Sequence, residues 1–436
     1  MLLIAMVVIT DNILDRVIIM VDVLKKIVQE NDFKNGSLVV SVNKFGTITK
    51  HIINPKINND DTITTQSGLL DTRFDDIKYY IARAIIAGEA PFEDWVQRGS
   101  DIDGEAADDR SGYSVSLSSD GSIVAIGAIY NSGAGLYFGH TRVYEWNGSA
   151  WVQKGSDIDG ESIFNYSGYS VSLSSDGSIL AIGAILNSGA GSYAGHTRVY
   201  EWNGSAWIQK GSDIDGEAAN DYSGISVSLS DDGDIVAIGA TGASPDGSGD
   251  AFTGDGHVRV YEYNGSAWVQ KGSDIDGEVS SVTGGIQFGI DVSLSSDGSI
   301  LAIGASRYSD GTGSLAGYVQ VYEYSGSSWS QKGSDIDGEA AGDESGYSVS
   351  LSSDGSIVAI GAIGNDGTGS DAGHTRAYEW NGSAWVQMGS DIDGEAAGDY
   401  SGRSVSLSND GRTVAIGAIF NDGTGSNAGH VRVYAG

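Results

Sequence analysis

The 436-residue chain contains no cysteine, few basic residues and no apolar run long enough to span a bilayer. Without cysteine the chain forms no disulfide that would indicate an oxidising compartment, and it has no thiol nucleophile. The 58 acidic residues outnumber the 24 basic ones, which gives a formal net charge of −34. Because such a surface repels phosphate backbones and anionic lipid, we expect no nucleic-acid partner. The charge suits cations, basic partners, or simply solubility.

Residues 1–90 are nearly neutral and differ in pattern from the remainder. Residues 1–9 are apolar, but they are too short to cross a membrane and lack the basic start of a signal peptide. Helical spacing predicts helices over 11–31 and 71–87, and alternation predicts a β-hairpin from 37–42 and 47–53. We therefore expect a small α+β module that serves attachment or oligomerisation.

The apolar stripe over residues 11–31 has two interpretations. It either packs within the small module or meets copies of itself, which would make the chain a homo-oligomer through these residues.

From residue 95 onward a unit of roughly 56 residues recurs six times, a period typical of propellers, solenoids and β-helices. Each unit carries Gly-Ser-Asp-Ile-Asp-Gly-Glu, whose first Asp falls at Asp101, Asp157, Asp213, Asp274, Asp335 and Asp391. Period-two alternation within a unit predicts four strands, with an Asp-Gly turn after the first and an Asn-Gly turn after the third. Four antiparallel strands make one propeller blade. We therefore predict an all-β, six-bladed β-propeller over residues 91–436.

The last unit ends after its third strand. Trp95-Val96-Gln97 matches the missing fourth strand, so we predict that it pairs with residues 430–434 and closes the ring by strand exchange. An open array would leave an exposed edge at each end.

Three elements of the unit resemble a known family: Ser111-Gly112-Tyr113-Ser114-Val115, the run Ala125-Ile-Gly-Ala-Ile129, and Gly139-His-Thr-Arg-Val-Tyr144. They are similar to FG-GAP repeats, the blades of integrin α-subunit propellers and of many microbial surface proteins, and unit four even has Phe288-Gly289. The resemblance implies a propeller, with seven blades as the alternative. The calcium loop of that family lies in the first hairpin, which here is only Ser-Asp-Gly, so that site is not carried over.

Loop length varies on one face of the predicted propeller, where the second-to-third-strand loops and the crossing loops emerge. Unit three lengthens the first kind of loop and unit four lengthens the second, and adjacent blades place both on the same rim. Loops over a rigid scaffold commonly carry binding function. We therefore predict a ligand-binding patch there, with loop drift as the alternative; its residues are Asp250, Phe252, Asp255, Val282 and Ile286.

The crossing loops also repeat a set of hard oxygen donors, which suits Ca²⁺. The predicted calcium ligands are Asp101, Asp103, Glu105 and Asp109; Asp213, Asp215, Glu217 and Asp221; Asp335, Asp337, Glu339 and Asp343; and Asp391, Asp393, Glu395 and Asp399. The alternative is that these side chains cap turns.

Five histidines start the third strands, at His140, His196, His257, His374 and His430, with Tyr318 in the remaining unit. Lying on different blades, they do not form one metal ring, and a repeated structural hydrogen bond is expected instead. No nucleophile-elbow motif is present, and every Ser belongs to a repeated set.

These patterns favour a non-enzymatic recognition or adhesion protein, extracellular or on a cell or virion surface, whose partner is a protein or glycan receptor. A purely structural spacer or decoration subunit is the alternative, and an enzyme at the propeller mouth is the third hypothesis.

Overall fold

The computed structural model describes residues 97–242, 255–278, 285–309, 314–422 and 428–435, together with the backbone of three strands closer to the N-terminus. The chain divides into two units, Met1–Arg98 and Gly99–Gly436. In the described part of the chain, no helix is long and apolar enough to cross a membrane.

The first unit contains a sheet of β1 (Val8–Ile9), β2 (Ser37–Val42) and β3 (Ile48–Ile53). Strands β2 and β3 pair antiparallel, which confirms the predicted hairpin. Strand β1 joins β2 in parallel. The helices expected over 11–31 and 71–87 lie outside the described residues, as does the oligomerisation predicted for the first of them.

The second unit consists of six consecutive antiparallel sheets. Blade one has β4 (Ser111–Leu117), β5 (Ile123–Ala128), β6 (His140–Trp146), β7 (Trp151–Gln153) and β8 (Ile158–Asp159). Blade two has β9 (Ser167–Leu173), β10 (Ile179–Ala184), β11 (His196–Trp202), β12 (Trp207–Gln209) and β13 (Ile214–Asp215). Blade three has β14 (Val227–Leu229), β15 (Ile235–Ala240), β16 (His257–Tyr263), β17 (Trp268–Gln270) and β18 (Ile275–Asp276).

Blade four has β19 (Phe288–Leu294), β20 (Ile300–Ala305), β21 (Tyr318–Tyr324), β22 (Trp329–Gln331) and β23 (Ile336–Asp337). Blade five has β24 (Ser345–Leu351), β25 (Ile357–Ala362), β26 (His374–Trp380), β27 (Trp385–Gln387) and β28 (Ile392–Asp393). Blade six has β29 (Ser401–Leu407), β30 (Thr413–Ala418) and β31 (His430–Ala435). The six-bladed propeller is thereby confirmed over the seven-bladed alternative, and the four-stranded blade is confirmed in blades one to five; blade six has three strands among the described residues.

A fifth, two-residue strand extends each of blades one to five. In blade one, β8 leaves the outer edge, crosses back and pairs with the start of β6, so that Asp159 lies opposite His140. This short strand holds the crossing loop against the third strand, and it is absent from the sequence prediction.

Local side-chain hydrogen bonds shape both hairpin turns of a blade. In the first turn Ser118 Oγ accepts from the Ile123 N–H and donates to Asp120. In the second, Asn147 Oδ1 accepts from the N–H groups of Ser149 and Ala150, each at 2.9 Å. The Asn-Gly turn predicted from the sequence is present, but it is not the two-residue type I′ turn that this pair favours, because Gly148 alone has positive φ there and the loop is an Asx turn of four residues.

The cores lie between neighbouring blades. In blades one to five the second strands, such as Ile179–Ala184, are buried along their whole length, as expected for apolar strands covered on both faces. Ser170 Oγ donates to the Gly224 carbonyl of the next blade at 2.7 Å. Opposite that carbonyl, Gly183 has no room for a Cβ atom. Close backbone approach therefore requires glycine at this position of the unit.

Blades one and six are the two ends of the series, and in the described structure each has one face that no neighbouring blade covers in this way. Val115 and Leu117 are 61% and 56% exposed, and Val431 of blade six is 68% exposed. Among the described residues, Ser404 and Gly112 do not form the serine-to-glycine bond that joins the other blades in four of the five interfaces. Trp95 and Val96 lie outside the described part of the chain, so the strand exchange stays a prediction.

Candidate functional site

A cluster of one histidine and two carboxylates lies at the start of each third strand in four blades. In blade one, Nδ1 of His140 lies 3.8 Å from Glu105 Oε2 and 3.8 Å from Asp157 Oδ2. Glu105 belongs to the crossing loop that enters the blade, whereas Asp157 immediately precedes β8 in the loop that leaves it. The pairing of β8 with β6 therefore brings a carboxylate from each of two successive repeats to one histidine.

The same cluster recurs with little change in three further blades. Its members are Glu161, His196 and Asp213; Glu217, His257 and Asp274; and Glu339, His374 and Asp391. In each, the three ligand atoms lie within 4.8 Å of one another. Blade four differs, because Tyr318 replaces the histidine and Gln320 replaces the neighbouring arginine.

The histidines of these clusters are buried, and burial lowers the pKa of each of them. Burial, reinforced by Arg198, lowers the pKa of His196 to about 4, although Asp213 acts in the opposite direction. Burial likewise lowers the pKa of His140. An unprotonated imidazole nitrogen keeps a lone pair that can bind a cation.

The predicted structural hydrogen bond of these histidines is wrong for blades one and two. Neither ring nitrogen of His140 or of His196 has a hydrogen-bond partner in the described structure, although both side chains are only 1% exposed. The separations of 3.6 to 3.8 Å to the carboxylates are too long for hydrogen bonds.

The four predicted calcium ligands of one loop do not share one neighbour. Glu105 faces the histidine, and the backbone oxygen of Asp103 accepts from Arg142 at 2.6 Å. Asp109 caps a turn, since its Oδ2 accepts from the Ala106 N–H and from the Asn131 amide. The fourth residues of the other three sets cap turns in the same way: Asp221, Asp343 and Asp399. The fourth residue of each predicted calcium set therefore caps a turn, as in the alternative interpretation. Calcium binding by one loop stays a prediction.

The predicted ligand patch of units three and four is only partly described. Asp250, Phe252 and Val282 lie outside the described residues, and Asp255 is partly buried. Ile286 is fully buried in a core cluster with Phe288, so its side chain is not available to a ligand at the surface.

An aromatic patch lies instead between blades one and two on the loop face. Its members are Leu136, Tyr137, Ile163 and Phe164. The crossing loop pairs with the second-to-third-strand loop there, as the Phe164 N–H donates to the Leu136 carbonyl at 3.0 Å. Tyr137 and Phe164 meet edge to face with centroids 5.7 Å apart.

Much of this aromatic patch is open to solvent: Ile163 is 57%, Leu136 51% and Phe164 41% exposed. Units five and six have Ser370 and Gly398 where units one and two have Leu136 and Phe164. This departure from the repeat is the sequence signal that could have located the patch, whereas loop length pointed elsewhere.

The inner strands bring a different set of side chains together around the centre of the ring. The Arg403 guanidinium lies 4.3 Å from the Tyr347 ring centroid, and Tyr113 contacts Tyr169 with centroids 5.0 Å apart. Asp291 occupies a position that is serine in the other five units. Burial raises its pKa to about 7, against the opposing effect of the N–H groups of Val349 and Val292.

Comparison with solved structures finds matches at low identity. The periplasmic gluconolactonase of Pseudomonas aeruginosa is 14% identical, with 92% of each chain covered and a TM-score of 0.47. A putative 6-phosphogluconolactonase from Bacteroides uniformis is 10% identical, covering 89% of this chain and 88% of its own, with a TM-score of 0.49. Kuenenia stuttgartiensis hydrazine synthase is 12% identical over 74% of this chain and 78% of its own, with a TM-score of 0.45. At these values the likeness does not bear on function.

A comparison with curated protein sequences found no match. The family model described as FG-GAP repeat matches residues 392–434. This segment runs from β28 through the three strands of blade six. Its sequence pattern recurs in each of the other five blades. The resemblance drawn from the sequence is therefore confirmed: one blade of this chain matches the FG-GAP repeat family, and the six-bladed fold supports an FG-GAP repeat propeller.

Proposed function

We propose that this chain is a non-enzymatic recognition protein that presents the loop face of its propeller to a protein or glycan receptor, outside the cell or on a cell or virion surface. The observation that carries the proposal is the aromatic patch between blades one and two. Exposed apolar clusters of this kind commonly mark interaction sites, and aromatic side chains are enriched at interface cores.

The surroundings of the patch support a binding role. Tyr137, which contacts Phe164, also packs with Tyr130 and Tyr166, and the ring centroids in this group lie 4.9 to 6.2 Å apart. Arg110 stacks on Tyr130 at 4.3 Å from the ring centroid. The exposed groups therefore rest on a packed base, and holding them in place reduces the entropy lost on binding.

Binding of the full chain to cultured cells and to a glycan array tests the proposal. The patch variant combines Leu136→Ser, Ile163→Ala and Phe164→Gly, which are the residues found at the equivalent positions of units five and six. Because the repeat already accommodates them, the blades should fold as before. We expect at least a tenfold loss of binding, the scale of losing about 1.4 kcal/mol at an interface.

The matched control combines Val152→Ala and Val269→Ala, which remove apolar area from outer strands where each valine is 49% exposed. It should bind as the wild type does. Equal binding by the patch variant would refute the assignment of the receptor site, and absence of any binding by the wild type would favour the structural-spacer alternative.

A further inference from the structure

The Glu–His–Asp clusters carry an inference separate from recognition at the loop face. In blade two, His196 Nδ1 lies 3.8 Å from Glu161 Oε2 and 3.6 Å from Asp213 Oδ2. The imidazole is 1% exposed, and neither of its nitrogens has a hydrogen-bond partner in the part of the chain that is described. An unsatisfied buried polar group is costly, so its repetition in equivalent positions calls for a missing partner.

The distances from the histidine nitrogen to the two carboxylates suit a shared metal ion. Two atoms that each bind one zinc ion at about 2.0–2.1 Å lie at most about 4.2 Å apart. The observed separations of 3.6 and 3.8 Å fall within that limit while exceeding hydrogen-bond length. We propose that each complete Glu–His–Asp cluster binds one zinc-class divalent cation through a histidine nitrogen and two carboxylate oxygens.

The donor set favours this class of cation over calcium. Calcium takes six to eight oxygen ligands, whereas imidazole nitrogen suits zinc and other first-row transition metals. These sites also differ from the predicted calcium loops, since each takes carboxylates from two successive repeats rather than from one.

Neighbouring groups orient the carboxylates toward the proposed ion. Gln209 Nε2 donates to Asp213 Oδ1 at 2.6 Å, which leaves Oδ2 facing the histidine. Arg198 lies 3.7 Å from Glu161 Oε1, the oxygen that faces away. Such contacts fix ligand geometry in metal sites. With Arg198 offsetting one carboxylate, the site keeps a single net negative charge.

Solvent reaches the proposed site through its carboxylates, because the Glu161 side chain is 43% exposed. Entry of a hydrated cation therefore requires no opening of the core.

Blade four supplies a natural comparison. Tyr318 stands in place of the histidine, and Glu278 accepts a hydrogen bond from the Tyr308 hydroxyl at 2.7 Å. Asp335 keeps the glutamine bond that Asp213 has in blade two, here from Gln331, and the same oxygen also accepts from Gln320. Because this blade has no histidine nitrogen and its Glu278 is already bonded to Tyr308, we expect no cation here.

Calorimetric titration of the full chain with Zn²⁺ tests the proposal, alongside Ca²⁺ as a second probe. Glu161→Gln should remove one bound Zn²⁺ per chain, and Glu278→Gln should remove none. A fourfold variant with Gln at 105, 161, 217 and 339 should lose four, one for each complete cluster. Each substitution keeps side-chain volume, and far-UV circular dichroism checks that every variant is folded.

Loss of Zn²⁺ in the clusters but not in the blade-four control supports the inference. Wild-type stoichiometry in the folded fourfold variant would overturn it, as would binding of Ca²⁺ alone. If the fourfold variant fails to fold, Glu161→Gln decides the question by itself.

Discussion

Asp291 gives a direct test of the contacts between inner strands, because its position is serine in the other five units. We predict that Asp291→Ser stabilises the protein above neutral pH and removes part of its pH dependence. In the equivalent interfaces the serine hydroxyl donates to a glycine carbonyl of the next blade, as Ser348 does to Gly402 at 2.8 Å. Serine at 291 can make the same bond to Gly346.

The size of the effect follows from the pKa of this carboxyl. Burial raises the pKa of Asp291 from 3.8 to about 7. Since one pKa unit corresponds to about 1.4 kcal/mol, the bound proton contributes up to about 4 kcal/mol to the free energy of unfolding. The contribution is complete below pH 3.8, declines as pH rises, and is gone above about pH 7. Between pH 5 and 8 the wild type should therefore lose about 3 kcal/mol relative to the variant.

Urea denaturation followed by tryptophan fluorescence at pH 5, 6, 7 and 8 measures the difference between the two proteins. Subtracting the variant curve from the wild-type curve cancels the titration of the other carboxyl groups. A difference that is constant across this range would refute the reasoning, because it would mean that Asp291 is already ionised at pH 5 in the folded protein.

Two further predictions concern the packing of the blades. Gly183→Ala places a Cβ atom against the Gly224 carbonyl of the next blade and should lower the free energy of unfolding by about 1–3 kcal/mol. The equivalent Gly417→Ala in blade six meets only the Ser404 side chain and should lower it less. Equal losses of stability in urea denaturation would show that a neighbouring backbone covers blade six. Ser174→Ala removes a buried hydroxyl that accepts from the Ile179 N–H and donates to Asp176, so it should lower the free energy of unfolding by about 1–3 kcal/mol. The control Ser149→Ala removes an exposed hydroxyl and should lower it by about 0.5 kcal/mol or less.

The blades were predictable because their signals are local and recur in every unit. Strand alternation in Tyr113–Ser119, the Asp-Gly turn and the apolar run from Ile123 each act over a few residues, and repetition makes chance agreement improbable. The β2–β3 hairpin near the N-terminus was also predictable, because its alternating pattern is likewise local.

The histidine clusters were not predictable, because they depend on pairing between distant segments. Asp157 reaches His140 only when β8 crosses back to β6, and a two-residue strand leaves almost no pattern in the sequence. Spacing within one loop instead suggested a shared ion for Asp101, Asp103 and Glu105, although a crossing loop divides its side chains between two blades.

The aromatic patch was missed for another reason. Insertions in units three and four drew attention to loop length, while the informative difference was side-chain identity at Leu136 and Phe164 in loops of ordinary length.

The uncovered faces of blades one and six have a consequence for how this chain can evolve. Each presents one half of the serine-to-glycine contact that joins the blades at four of the five interfaces, with Gly112 on blade one and Ser404 on blade six. Duplication or loss of one whole period in the gene would join the same two halves again, so no new contact has to arise. Chain length can therefore change in steps of one blade, and ring geometry, rather than the chemistry of the contact, limits how many blades are kept.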